Sequence, residues 1–300
     1  MPQFRIPPLF YLLLFFFSCT QKKEPVVENT TVEGSWDRVK YIDYDNDQQW
    51  AIKGDSILYQ KHITPNSFVW MNFDKKNEQL IGMGGGTYDF TDGQYTEYIA
   101  FFYPPVTSII GQPIPFSVEF KDGQWIHIGY FIDETIDPIS GEIVQRDSVK
   151  IHEIWERTKE PVNDKKDLIG TWQLLKYRGN AEDDYIEFPD YVGSIKLITD
   201  THFTWIQYDK SGEEVYAMGS GTYTYDDDAY TEEIHVIYPE NTGQIGESIP
   251  FSYKVNDNQW YHYGFVPQVR IDSGKIVKDS LLIDEYWGPF HISSVNELLL

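Results

Sequence analysis

The strongest constraint on the fold of this chain is an internal repeat. Gly34-Ser35-Trp36 returns as Gly170-Thr171-Trp172, and Gln124-Trp125-Ile126-His127 returns as Gln259-Trp260-Tyr261-His262. Further pairs recur in the same order: Phe68-Val69-Trp70 with Phe203-Thr204-Trp205, Tyr95-Thr96-Glu97 with Tyr230-Thr231-Glu232, Ile114-Pro115-Phe116-Ser117 with Ile249-Pro250-Phe251-Ser252, and Glu153-Ile154-Trp155 with Glu285-Tyr286-Trp287. A period this long does not fit a solenoid, so each copy is predicted to be a whole domain.

Each copy has the pattern of short β-strands separated by turn residues. In the first copy, alternating and aromatic-rich runs predict strands near 34–43, 56–63, 67–73, 79–90, 95–103, 115–121, 124–132 and 147–156. Asp92-Gly93 and Asp122-Gly123 suit tight hairpins, and the run Gly84-Gly85-Gly86 indicates a bulge or bend. No stretch has helical periodicity. We therefore predict an all-β chain of two tandem eight-stranded antiparallel barrels, with a pair of partly open β-sandwiches as the alternative.

The first residues have the pattern of a secretory signal peptide. Leu9 to Phe17 is an apolar run too short to span a bilayer as a helix, and the only cysteine, Cys19, follows it. The segment Phe16-Phe17-Ser18-Cys19 resembles a lipobox, with Phe where Leu is usual. The resemblance implies lipidation at Cys19 and a protein anchored to a membrane of the bacterial cell envelope, with the outer membrane favoured, facing the periplasm or the cell surface.

The domain layout follows from these two patterns. The predicted ranges are 1–18 for the signal peptide, 19–33 for the lipid anchor and tether, 34–157 for the first barrel, 158–169 for a linker, 170–290 for the second barrel and 291–300 for a C-terminal tail.

The opening Gly-x-Trp of both copies resembles the first-strand signature of lipocalins. The later run of GTY, YTE, IPFS and QW motifs is similar to lipocalin-like (calycin) domains of exported bacterial proteins. The resemblance covers nearly all of both copies, and it implies an eight-stranded barrel with a central cavity and a floor closed by Trp36 or Trp172. The chain departs from secreted lipocalins because it lacks a second cysteine for a disulfide and any clear C-terminal helix.

Composition excludes one class of partner. The chain carries 24 Lys and Arg against 47 Asp and Glu, a formal charge of −23, which repels phosphate backbones and argues against nucleic acid. Aromatic residues make up 16% of the chain, which is enough to build a buried core.

Residues on one face of each strand match between the copies, while the opposite face varies. Because strand side chains alternate, the matched face is predicted to point into the barrel. The inward set, predicted to bind a ligand, is Trp70, Tyr88, Tyr95, Glu97, His127, Glu153 and Trp155, with Trp205, Tyr223, Tyr230, Glu232, His262, Glu285 and Trp287 as their counterparts. The carboxylates belong either to a structural hydrogen-bond network or to a pocket with aromatic walls and polar anchors.

Three function classes compete. The sequence favours a membrane-anchored lipoprotein that binds a small amphipathic or sugar-like ligand in each barrel. An envelope interaction module would have filled barrels and use its outer faces, and an enzyme would use Glu97, His127 and Glu153 as acid and base. No metal site or cofactor is predicted, because the chain has no His/Cys cluster with zinc spacing and no phosphate-binding glycine loop.

Overall fold

A computed structural model describes residues 31–42, 44, 49–52, 54–137, 140, 142–226, 229–240, 243–272 and 275–290. The predicted signal peptide, Cys19, most of the tether and the C-terminal tail lie outside the described residues. In the part of the chain that is described, no helix has the length and apolar character needed to cross a membrane.

The first copy forms barrel 1. Its strands are β1 (Gly34–Ile42), β2 (Trp50–Ile52), β3 (Ile57–Ile63), β4 (Ser67–Asp74), β5 (Gln79–Thr91), β6 (Gln94–Tyr103), β7 (Pro113–Lys121), β8 (Gln124–Ile136) and β9 (Ile143–Arg157). The antiparallel sheet runs in chain order from β3 to β9 and closes because β1 pairs with both β3 and β9. The short strand β2 pairs with the far end of β1 and stands outside the closed ring.

The second copy forms barrel 2 with the same topology. Its strands are β10 (Gly170–Tyr177), β11 (Ile186–Glu187), β12 (Val192–Ile198), β13 (His202–Asp209), β14 (Val215–Tyr225), β15 (Tyr230–Tyr238), β16 (Ser248–Asn256), β17 (Gln259–Asp272) and β18 (Lys275–Pro289). Here β10 pairs with β12 and β18 to close the ring. The predicted fold class is therefore confirmed: two closed eight-stranded antiparallel barrels, with a single three-residue 3-10 helix, Thr107–Ile109, among the described residues.

Turn chemistry sets the strand register. Asp92 and Gly93 both have positive φ, as do Asp122 and Gly123, which is the geometry of two-residue hairpin turns that match the strand twist. The predicted bulge is also present, because the β5–β6 register shifts between Gly85 and Gly86. A Cβ at Gly86 would lie 2.0 Å from the carbonyl oxygen of Tyr98, so only glycine fits there.

One end of each barrel is closed by tryptophan. In barrel 1, Trp36 is fully buried, donates from Nε1 to the carbonyl of Val32 at 2.7 Å, and packs edge-on against Trp125 at 5.2 Å. In barrel 2, Trp172 makes the equivalent contacts with Leu168 and Trp260. Packed aromatic side chains therefore fill this end of each barrel.

The two barrels pack against each other through the outer faces of β3–β6 and β12–β15. Ser35 Oγ lies 2.7 Å from Thr199 Oγ1, and Thr64 Oγ1 lies 2.6 Å from Thr171 Oγ1. These two hydrogen bonds are equivalent under the repeat, so the barrels are related by a pseudo-two-fold axis, as subunits are in an isologous dimer. A buried apolar cluster drawn from both barrels fills the junction: Val69, Met71, Phe73, Leu80, Met83, Ala100, Phe101, Ile195, Leu197, Ile206, Tyr208, Val215, Met218 and Val236.

Candidate functional site: the two barrel cavities

Each barrel holds a cavity, of about 190 Å³ in barrel 1 and about 300 Å³ in barrel 2. Ten of the fourteen sequence-predicted residues line them: Trp70, Glu97, His127, Glu153 and Trp155 in barrel 1, and Trp205, Glu232, His262, Glu285 and Trp287 in barrel 2. The structure thus brings together five equivalent side chains in each barrel. Additional apolar walls come from Ile99, Phe116 and Ile151 and from their counterparts Ile234, Phe251 and Ile283.

The four predicted tyrosines do not line the cavities. Tyr95 and Tyr230 are fully buried and lie in the aromatic core, each packed edge-on against a tryptophan of that core. Tyr88 and Tyr223 donate to the carbonyl oxygens of Thr64 and Thr199, at 2.8 and 2.6 Å. All four therefore support the closed end of the barrel beneath the cavity.

A buried ion pair lies in the wall of each cavity. Lys61 Nζ is 2.8 Å from Glu97 Oε1, and both side chains are less than 5% exposed. Lys196 pairs with Glu232 at the equivalent position. Burial raises the pKa of Glu97, and the neighbouring Lys61 ammonium acts in the opposite direction. The ammonium also faces the rings of Trp125 and Trp155, at 5.2 and 5.4 Å from their centroids.

A neutral imidazole faces each cavity. Burial, reinforced by Lys61, holds the pKa of His127 well below its ordinary value, and burial with Lys196 does the same for His262. Neither ring nitrogen of His127 has a hydrogen-bond partner among the described residues, and Nε2 of His262 also lacks one there. A buried polar atom without a partner costs about 1–3 kcal/mol, so a ligand group that bonds to these nitrogens would remove that cost.

The second carboxylate of each cavity has different partners in the two barrels. In barrel 1, Glu153 Oε1 accepts from Arg38 Nη1 at 2.5 Å, and Trp155 Nε1 donates to its other oxygen at 3.1 Å. In barrel 2, Glu285 Oε2 accepts from Trp287 Nε1 at 3.0 Å and lies 3.4 Å from His262 Nδ1. Burial raises the pKa of Glu285.

In barrel 1, the residues predicted for acid–base catalysis are not arranged as a proton relay. Glu97 is held by Lys61 and Glu153 by Arg38, so neither carboxylate is free to move a proton. His127 Nδ1 is 4.0 Å from Glu153 Oε2, beyond hydrogen-bonding distance, so the two do not form a relay. Among the described residues, no group of three His, Cys, Asp or Glu side chains is placed to hold a metal ion.

Sequence reasoning missed the cationic residues. Lys61 and Lys196 stand two residues before the repeated Ile-Thr pair. The strand register pairs them directly with Trp36 and Trp172, so they lie on the same sheet face as these tryptophans. Lysine side chains are rarely buried, so the residue type alone gives no reason to place them inside the barrel. The available signal was the retention of lysine at equivalent positions in the two copies. No comparable signal exists for Arg38, because the second copy has Leu174 there.

One comparison with known proteins relates the chain to a family. The family model described as Domain of unknown function (DUF4488) matches it twice, over residues 31–166 and 167–287. The first match contains barrel 1, the second covers barrel 2 except for the last two residues of β18, and together they span most of the chain. No curated protein matches it.

Proposed function

Because the chain belongs to the DUF4488 family, with one copy of that domain in each barrel, we propose that both barrels share one function, the binding of a small amphipathic or sugar-like molecule in the cavity. The observation that carries the proposal is the pair of equivalent cavities, each with tryptophan walls and a buried histidine that has an unsatisfied ring nitrogen. Tryptophan faces suit apolar faces of a ligand, and the histidine and carboxylates suit its hydroxyl groups.

Cavity size supports a small ligand. An apolar cavity of about 150 Å³ in another protein holds benzene, so about 190 and 300 Å³ hold one ring with polar substituents. The interiors are too small for long-chain lipids but are not filled by side chains, which counts against the interaction module with filled barrels. The resemblance to lipocalins, whose barrels enclose one small ligand, agrees with this assignment.

Filling one cavity tests the proposal. Ala217 lines the cavity of barrel 2, and Phe at this position would occupy it with a ring. We expect titration of the purified chain with 4-bromophenol by calorimetry to give two sites per chain, and Ala217→Phe to leave one. The control is Tyr216→Phe, at the neighbouring exposed position of β14, which keeps both sites. Two unchanged sites in folded Ala217→Phe would show that the probe binds elsewhere.

We further propose that a lipid on Cys19 anchors the barrels to a membrane of the bacterial cell envelope, with the outer membrane favoured. The lipobox-like segment and the polar tether that follows it support this placement. Replacing Cys19 by Ala is expected to move the protein from the membrane fraction to the soluble fraction of cells. Full retention of the Ala variant in the membrane fraction, measured by fractionation and immunoblot, would contradict lipid anchoring.

A further inference from the structure

The two cavities differ at one charged position. Arg38 of β1 and Leu174 of β10 occupy the same register, opposite Trp155 and Trp287 respectively. Arg38 reaches Glu153 and packs 3.8 Å from the centroid of the Tyr59 ring, whereas Leu174 is a buried apolar side chain. The substitution removes the cation that faces the second carboxylate of the cavity.

The result is a difference in net charge between the two cavities. Barrel 1 has two cations, Arg38 and Lys61, against the two carboxylates of Glu97 and Glu153. In barrel 2, Lys196 is the one cationic side chain among the described residues that line the cavity, and it is already paired with Glu232. Glu285 is therefore a carboxylate in excess. The neutral His262 supplies no compensating charge.

Glu285 is placed where a bound cation would reach it. It lines the cavity and is 17% exposed, and among the described residues its hydrogen-bond partners, the Trp287 indole and the His262 imidazole, are neutral. The Lys196 ammonium acts on Glu285 electrostatically, but it is hydrogen-bonded to Glu232. A largely buried carboxylate is costly without a counter-charge. Trp205, Trp287 and Phe251 also line this cavity, and aromatic faces attract organic cations.

We propose that the cavity of barrel 2 binds a compact organic cation, a protonated amine on a hydrocarbon or aromatic body, whereas the cavity of barrel 1 takes an uncharged molecule. This inference rests on the proposed function and deepens it. The ammonium group pairs with Glu285, and the body of the ligand packs against the tryptophans and Phe251. Duplication has thus given the chain two sites of different ligand class.

Three probes of similar size test the proposal at pH 7: benzylamine, which is cationic, benzyl alcohol, which is neutral, and benzoate, which is anionic. In calorimetric titrations of the purified full chain, we expect benzylamine to bind one site per chain about tenfold or more tightly than benzyl alcohol, as a charge-assisted hydrogen bond gives. Benzoate is expected to bind weakest at that site.

Two variants assign this preference to named residues. Glu285→Gln keeps the shape of the site and should bring benzylamine to the affinity of benzyl alcohol. Arg38→Leu copies barrel 2 into barrel 1, leaves Glu153 without its cation, and should create a second benzylamine site. The matched control is Glu233→Gln, which removes one exposed carboxylate from the outer face of barrel 2 and should change nothing. If one of the first two variants fails to fold, Leu174→Arg replaces it and should abolish the benzylamine preference.

The outcomes distinguish a failure of the cation assignment from a failure of the proposed binding function. If benzyl alcohol binds the wild-type chain as tightly as benzylamine, or if folded Glu285→Gln retains the benzylamine preference, the cation assignment is overturned while binding in the cavities stands. If folded Arg38→Leu gains no benzylamine site, the absence of a cation beside the second carboxylate is not the cause of the benzylamine preference. If none of the three probes binds, the proposed function fails with it.

Discussion

Glu97→Gln is expected to lower the free energy of unfolding by about 3–5 kcal/mol, the cost of removing one partner from a buried ion pair. Lys61 and Glu97 are 2.8 Å apart and almost wholly buried, so the variant leaves an ammonium in the barrel without its counter-charge. A typical domain is stable by about 5–15 kcal/mol, so the loss is a large share of the total. Urea denaturation followed by circular dichroism measures it, and Glu232→Gln should act similarly in barrel 2.

The paired replacement is the control for this effect. Lys61→Met combined with Glu97→Leu removes both charges, and apolar replacement of a buried pair is often neutral or stabilising. The double variant is therefore expected to be more stable than Glu97→Gln alone. Glu233→Gln, at an exposed position of the neighbouring face, should change the free energy by less than about 0.5 kcal/mol. A loss below about 1 kcal/mol for Glu97→Gln would show that the pair is solvated.

The second large expected effect is a steep loss of stability in mild acid. His62, His127, His202 and His262 are buried, and burial lowers the pKa of each, that of His202 to about 3. As the pH falls below about 6.5, the unfolded chain protonates these histidines before the folded chain does. The unfolded state then binds more protons, so the free energy of unfolding falls as the pH falls towards the folded-state pKa values.

Two carboxyl groups reduce the slope. Burial raises the pKa of Glu97 and Glu285, so above about pH 4.5 the folded state can keep up to two protons that the unfolded state has lost. Each of the four histidines that gains a proton on unfolding contributes about 1.4 kcal/mol per pH unit, so together they set an upper limit of about 5 kcal/mol per pH unit below about pH 6. Urea titrations at several pH values measure this slope.

His62 provides a matched test of the acid effect. Its ring packs 4.7 Å from that of His202 across the junction of the barrels, and its Nδ1 lies 2.7 Å from Thr204 Oγ1. The second copy has Leu197 at the equivalent position, so His62→Leu is a replacement that the fold already accommodates. The variant should lower the slope by about 1.4 kcal/mol per pH unit, the contribution of one proton. An unchanged slope would remove His62 from the explanation.

Much of the fold could be predicted from the sequence because local signals agreed with the repeat. The Asp-Gly turns fixed two hairpins, and the glycine run marked the bulge at Gly86, so the predicted strands of barrel 1 lie within a few residues of the observed ones. The strand Trp50–Ile52 was missed because three residues carry no periodicity. The longest hairpin of barrel 1 extends beyond the prediction, because β8 and β9 continue pairing past Ile132 and before Asp147.

The junction between the barrels could not be predicted. Residues Gln60 to Ile63 of β3 are buried on both faces, one inside the barrel and one against the other barrel. A strand covered on both faces loses the alternation that separates inside from outside. Comparison of the copies also failed there, because His62 and Leu197 make different contacts on the two sides of the pseudo-two-fold axis.

The candidate site was predicted in part, for a similar reason. Matching of the two copies identified the inward tryptophans, glutamates and histidines, since these contacts lie within each barrel and repeat. Such matching cannot separate the cavity from the core beneath it, because both recur in the two copies. Tyr95 and Tyr230 belong to the predicted ligand-binding set, but they pack in the core. The sequence left open whether the carboxylates form a structural network or a pocket. The structure has both, because paired Glu97 and Glu232 line cavities that remain open.

The most direct test of the central claim, that each barrel encloses a ligand site, is to locate a bound probe. Crystals soaked with 4-bromophenol and measured at the bromine absorption edge would show its position through anomalous scattering. We expect one bromine peak inside each barrel, beside Trp70 and Trp155 in barrel 1 and beside Trp205 and Trp287 in barrel 2. Bromine peaks confined to the outer surface, with side chains filling both barrel interiors, would contradict it.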